Sequence, residues 1–234
     1  MAELAARRMT SSDQARLRRR GRLLVLLDAA ERVAIAPLAS RRLHAFAYLS
    51  DVLSPVWGLP AFDGKILKLE GGPHYADLQE ELDHLVVLGL VEVANLQYVE
   101  RGQGGARLEG DYGLRFASER LEAVLSALGA GRREDAIDDR DWHVHAFLVE
   151  LAGALATLPN REIDRATSAD VTYRSRGLGE NVVDFAEWTS GGRADNPTWR
   201  TADRFETFLP KGARLTSGEK LFLYADYLGR VGNA

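Results

Sequence analysis

The residues closest to a metal-binding pattern are His143 and His145, which follow Asp138, Asp139 and Asp141. Imidazole and carboxylate can hold a zinc-type ion when their donor atoms converge on one point. On a helix, residues two apart point about 200° away from each other, so both rings reach one ion only if the segment is extended. Acids at the positive end of a helix, with His145 beside Leu148 on a packed face, account for the same letters. His44, His74 and His84 stand apart from any serine or acid at a spacing that would pair a nucleophile with its base. The chain has no cysteine, which removes thiolate zinc sites, disulfides and cysteine nucleophiles. Gly102-Gln103-Gly104-Gly105 reads as a hairpin tip, and Gly177-Leu178-Gly179 lacks the Lys-Ser/Thr of a phosphate loop. Glu80/Glu81 and Asp138/Asp139 read as solvated pairs on exposed helical positions. No catalytic residue, metal ligand or cofactor site is expected.

Charge offers binding in place of catalysis. Between Pro73 and Leu90 the chain carries Asp77, Glu80, Glu81 and Asp83 and neither lysine nor arginine. Projected at about 100° per residue, most of these acids lie opposite the apolar seam of Leu78, Leu82 and Leu85. DNA affinity rests on cations that neutralise phosphate, so such a face repels the duplex and suits a polypeptide better. Asp77, Glu80, Glu81 and His84 are therefore candidate partner-binding residues, joined by Phe222 and Tyr227 from an apolar helix near residue 220. The cations lie elsewhere, at Arg18, Arg19, Arg20, Arg41, Arg42, Lys65, Lys68, Arg101 and Arg107. These are candidates for sequence-independent contact with a DNA backbone by another face, a solvated surface being the simpler reading.

The elements that must position these residues follow from local chemistry. Pro73 after Gly72 suits a first helical residue, since proline has no N–H to lose there, and Gly89 closes the helix. Val91, Val93, Leu96 and Tyr98 suit a strand; a glycine turn reverses the chain, Ala106 to Phe116 returns, and Leu121, Val124, Leu125 and Leu128 mark a closing helix. Upstream, Leu23 to Ala30 make a helix that stops near Pro37. Ser40 reads as the N-cap of a second helix carrying Leu43, Phe46 and Val52, ending before Ser54-Pro55. Lys65 to Leu69 alternates like the first strand of a small sheet. Together these segments predict a winged helix.

Seven arginines stand among residues 1–22 against Glu3 and Asp13, so the remainder of a chain of net charge −4 is acidic. Residues 1–22 are expected to be a basic arm, 23–130 the winged helix and 131–234 a helical unit, giving an α+β, mostly α fold. In the last unit a helix with an acidic first turn ends at Pro159, and Thr216-Ser217-Gly218-Glu219 is a capping box. Leu221, Phe222, Leu223, Tyr224, Tyr227 and Leu228 ring the helix it opens. Between residues 160 and 197, Val171 and Tyr173 suggest a strand and Asn181 to Trp188 a helical turn; no fold is assigned there. The run Leu23 to Leu27 is cut by Asp28 and is too short to span a membrane, so a soluble, cytoplasmic chain is expected.

Four blocks carry a family resemblance: Arg22-Leu-Leu-Val-Leu-Leu-Asp28, Arg42-Leu-His-Ala-Phe-Ala-Tyr-Leu-Ser-Asp-Val-Leu-Ser-Pro-Val-Trp57, the segment Tyr75 to Val93, and Leu215-Thr-Ser-Gly-Glu-Lys-Leu-Phe-Leu-Tyr224. Together they resemble the middle component of bacterial ABC-three-component systems, which include Lamassu-type anti-phage defence. More distantly the chain is similar to the tandem winged-helix (KITE) subunits of condensin-like complexes, although no second winged helix is visible after residue 131. The resemblance implies a non-catalytic subunit. Its partners would be an ATPase of the SMC or Rad50 kind and an effector, often a nuclease, with non-specific DNA contact through the complex. A winged-helix transcriptional regulator is the alternative.

Overall fold

The computed structural model describes residues 11–69, 72–101, 105–130, 139–159, 163–175, 181–185, 188 and 196–232. The fold is α+β and mostly helical. Helix α1 (Ser11–Arg32) runs unbroken through the boundary expected at residue 22. The arginines from Arg16 onward are therefore helical, while residues 1–10 of the expected arm lie outside the described residues. The cause is cooperative: Leu23, Leu26, Leu27, Ala29 and Ala30 are fully buried, and once that half is nucleated, extension through arginine-rich turns costs little.

A two-residue strand β1 (Leu38–Ala39) leads into α2 (Ser40–Leu53). Ser40 is the first helical residue instead of the expected cap; its hydroxyl donates to Gln79 Oε1 at 3.0 Å, which draws it away from its own helix end. Further along come α3 (Ala76–Val87), β4 (Val91–Arg101), β5 (Gly105–Leu114) and α4 (Glu119–Ala127). The strands form an antiparallel sheet in the order β1-β5-β4. Apart from two paired strands between α2 and α3, helix, strand, helix, helix and hairpin with that strand order follows the connectivity of a winged helix. Gly89 ends α3 as expected, at a φ of +71° that favours glycine.

The strand Lys65 to Leu69 was expected in this sheet and is not in it. As β2 (Lys65–Leu69) it is the middle of a second antiparallel sheet, between β3 (Gly72–His74) and β6 (Val182–Asp184). Pro73 pairs with Lys68 in β3, so the helix begins three residues later than its proline suggests. An edge strand tolerates the missing N–H as readily as a first helical turn does. The expected helical turn near Asn181 is β6. Val171 and Tyr173 lie in a short helix, α7 (Val171–Arg174), where the Asp170 carboxylate caps the end by accepting the Tyr173 N–H at 3.0 Å. A cap and burial override the strand preference of valine and tyrosine.

The remaining helices are α5 (Asp139–Ala156), α6 (Ile163–Ala169), α8 (Pro197–Arg204) and α9 (Ser217–Gly232). The capping box forms as read: Thr216 N–H donates to Glu219 Oε2 at 2.7 Å, and Glu219 N–H donates back to Thr216 Oγ1 at 3.2 Å. Helix α5 packs on α1, and α9 on α5, α6 and α8. One apolar core runs from Leu23 to Leu228, and β6 completes a sheet begun before residue 131, so the segments on either side of that position share a core and a sheet.

Two buried carboxylates fix this packing. Asp51 accepts from Arg22 Nη2 at 3.0 Å, from the Phe62 and Asp63 N–H groups at 2.7 and 3.2 Å, and from the Tyr75 hydroxyl. Asp170 accepts from the hydroxyls of Tyr48 at 2.5 Å, Tyr224 at 2.6 Å and Thr198 at 2.7 Å, which ties α2 to α7, α8 and α9. A buried charge is tolerated only when its lone pairs are satisfied in this way.

Candidate functional site

The acidic stripe of α3 does not face open water along its length. Arg16, Arg19 and Arg20 are spaced three and four residues apart on α1, and Asp77, Glu80, Glu81 and His84 are spaced likewise on α3, so two helical stripes meet. Arg19 Nη2 lies 2.9 Å from Asp77 Oδ2. Arg16 stands 3.7 Å from Glu80 and 3.6 Å from Glu81, and Arg20 Nε donates to Glu81 Oε2 at 2.5 Å. Glu81 is only 1% exposed, which corrects its reading as a solvated residue. On the helical projection it falls beside Leu78 and Leu85 at the edge of the apolar seam, and the α1 arginines make that position tenable. Glu80, Glu81 and His84 bring one donor atom each within 4.8 Å of one another. The two guanidiniums already on Glu81 answer the negative charge that a cation would need.

The arginine stripe leaves the outward side of α3 uncovered. Asp83 is exposed there, holding Gln79 Nε2 through a 3.0 Å hydrogen bond. Next to it Val87 is 85% exposed and Leu88 54%. Phe116, 65% exposed, sits at the same end of the domain, because the neighbouring Arg115 N–H donates to Leu90 O at 3.0 Å. Large apolar side chains left in water beside acids are what a protein interface uses. These three residues were missed in the sequence, although one signal was there: Val87 projects opposite the leucine seam, where a solvated helix would carry a polar residue.

The other partner candidates lie apart from this face. On α9, Leu221, Tyr224 and Leu228 are buried, whereas Phe222 stays 40% exposed. Tyr227 is half-buried, its ring 6.2 Å from Phe205 and 5.6 Å from Tyr224. Helix α9 belongs to the α5, α6 and α8 layer, while α3 packs on α1 and β4, so the structure splits the candidate set in two.

Most of the cations proposed for a DNA backbone are engaged within the fold. Arg19 and Arg20 serve the α3 acids. Lys65 Nζ lies 3.1 Å from Asp184, and Arg41 3.7 Å from Glu109. Lys68 Nζ donates to Ser175 O at 3.0 Å and sits 5.5 Å from the Tyr173 ring centroid, and burial lowers its pKa from the ordinary lysine value. Arg18 and Arg42 make no ion pair among the described residues. The side chains of Arg101 and Arg107 lie outside the described residues.

His44, His143 and His145 each bond a neighbouring element of the fold. His145 Nε2 donates to Asp28 Oδ2 at 2.8 Å across the α1–α5 contact, and His143 Nε2 stands 3.3 Å from Trp57 O. They face different neighbours, as residues two apart on a helix must; Asp138 lies outside the described residues. His44 is buried between Gln79 and the Tyr75 N–H, which donates to its Nδ1 at 3.2 Å. Comparison with family models, with curated proteins and with solved structures finds no match to this chain. Among the described residues no helix is long and apolar enough to cross a membrane.

Proposed function

We propose that this chain is a non-catalytic winged-helix subunit of an SMC- or Rad50-like ATPase complex in bacterial anti-phage or anti-plasmid defence. In that role it acts in the cytoplasm and bridges the ATPase to an effector nuclease. The observation that carries the reading is the outward side of α3, where Asp83, Val87 and Leu88 are exposed with Phe116 alongside and the helix itself carries no lysine or arginine, the Arg115 side chain reaching only its Gly89 end. A winged helix that reads DNA presents cations on the corresponding helix so that they can meet phosphate. An acidic and apolar face instead docks a polypeptide, with the apolar side chains as anchors and the acids setting register. The resemblance of the four sequence blocks to middle components of three-component defence systems supports the choice of partner. ATP hydrolysis and DNA cleavage belong to the partners in this scheme.

Co-purification with an SMC- or Rad50-like ATPase is the test. The wild-type chain is expected to hold the ATPase at modest salt, and the pair Val87→Glu and Leu88→Glu to release it while the free chain keeps its fold. Loss of the reading would follow if no stable complex formed, or if the wild-type chain gave a specific, nanomolar gel shift on its own upstream DNA.

A further inference from the structure

An open cleft of about 500 Å³ is lined by Arg41, Arg165, Ser168, Ala169, Arg174, Val231 and Gly232. Its three arginines come from three elements: the first turn of α2, the middle of α6 and the end of α7. Among the described residues no carboxylate lines it. Arg165 and Arg174 are exposed and make no ion pair among the described residues, and the one acid answering Arg41 is Glu109 at 3.7 Å. The last turns of α6 and α9 form part of the wall, and a helix C-terminus carries roughly half a negative charge. Against three full guanidinium charges the cleft stays positive. Like charges drawn into one concavity repel one another, and the arrangement becomes favourable when an anion enters.

We infer that this cleft binds a phosphate group, gripped by the guanidiniums of Arg165 and Arg174 with Arg41 at the rim. Planar guanidinium forks match phosphate oxygens in pairs. The lining holds no aromatic ring, so the site takes the phosphate of its ligand and does not stack a base.

Titration calorimetry with inorganic pyrophosphate on the full chain, at low and at moderate salt, tests this. Saturable one-to-one binding is expected, weakened by salt. Arg165→Gln and Arg174→Gln should each weaken it several-fold, and together by at least about tenfold, with the thermal midpoint of the free protein unchanged. Lys211→Gln, an exposed change outside the cleft, should leave it alone. A short oligothymidylate added as competitor separates the sources: strong displacement assigns a polymer backbone, and weak displacement a free anion, the phosphate site standing in either case. Absence of saturable binding, or a double variant that binds as the wild type does, overturns the inference.

Discussion

Arg19 and Arg22 lie within one turn of the same helix and both meet carboxylates, yet they do different work. Arg19 bonds Asp77 at 2.9 Å where the acid's side chain is 66% exposed. Arg22 bonds Asp51 at 3.0 Å where both are almost wholly buried, and its guanidinium sits over the rings of Phe62 and Tyr75. In water such a pair is worth about 0–1 kcal/mol, because hydration competes and salt screens it. In the interior the desolvation penalty is large, so the pair depends on its mutual attraction together with the further bonds each makes, Arg22 to Asp63 Oδ2 at 3.3 Å and Asp51 to the Phe62 and Asp63 N–H groups. Burial pushes the Asp51 carboxyl above its ordinary value despite the neighbouring guanidinium. For Arg22, burial would lower the pKa, but Asp51 and its neighbours outweigh it and hold the group above its usual range. The α1–α3 seam is thus an adjustable surface, and the Arg22–Asp51 contact is a fixed joint.

Breaking the joint should have the largest effect. Asp51→Ala leaves Arg22 only the 3.3 Å contact with Asp63 as an ion pair, and Arg22→Ala takes the cation away from buried Asp51; each is expected to cost about 3–5 kcal/mol in urea unfolding. If each costs under about 1 kcal/mol, the distinction between joint and seam collapses. Asp170→Ala comes next, at about 2–3 kcal/mol, since it leaves the buried hydroxyls of Tyr48, Tyr224 and Thr198 without their shared acceptor.

A smaller, pH-dependent effect is expected at Asp28, which links α1 to α5. Burial alone would raise its pKa, but hydrogen bonds from His145 and Arg32 outweigh burial and hold the carboxyl below its ordinary value. A depressed folded value means stability that is present above the ordinary carboxylate pKa of about 3.9 and is lost as pH falls through the folded value. Asp28→Asn should therefore flatten the acid limb of a stability–pH curve, and a limb as steep as the wild type's would contradict the assignment. Smallest of all, Asp77→Ala should change stability by no more than about 0.5 kcal/mol, an effect that vanishes in high salt.

The same contrast explains what could be read in advance. Leu78, Leu82, Leu85, Gly89 and the alternating strands gave up the helix and hairpin because short-range periodicity is written in each segment. The capping box at Thr216 is likewise local. Features that depend on distant partners were hidden. Pro73 has two equally good uses, and only β2 and β6 decide for the strand. Glu81 looks solvated until Arg16 and Arg20 arrive from α1, more than sixty residues earlier in the chain. Asp170 reads as one acid among many, and its role requires hydroxyls from α2, α8 and α9. Val87 was legible in principle as an apolar residue on the polar side of its helix, but the acids around it drew the reading toward charge alone.

The central claim is that the outward side of α3 and the adjoining Phe116 hold a protein. Amide hydrogen exchange on the chain alone, with the ATPase and with duplex DNA tests it most directly. New protection over residues 83–90 and 115–118 in the presence of the ATPase, with no change there on adding DNA, is the predicted result. Protection of the same segments by DNA, with none from the ATPase, would contradict it.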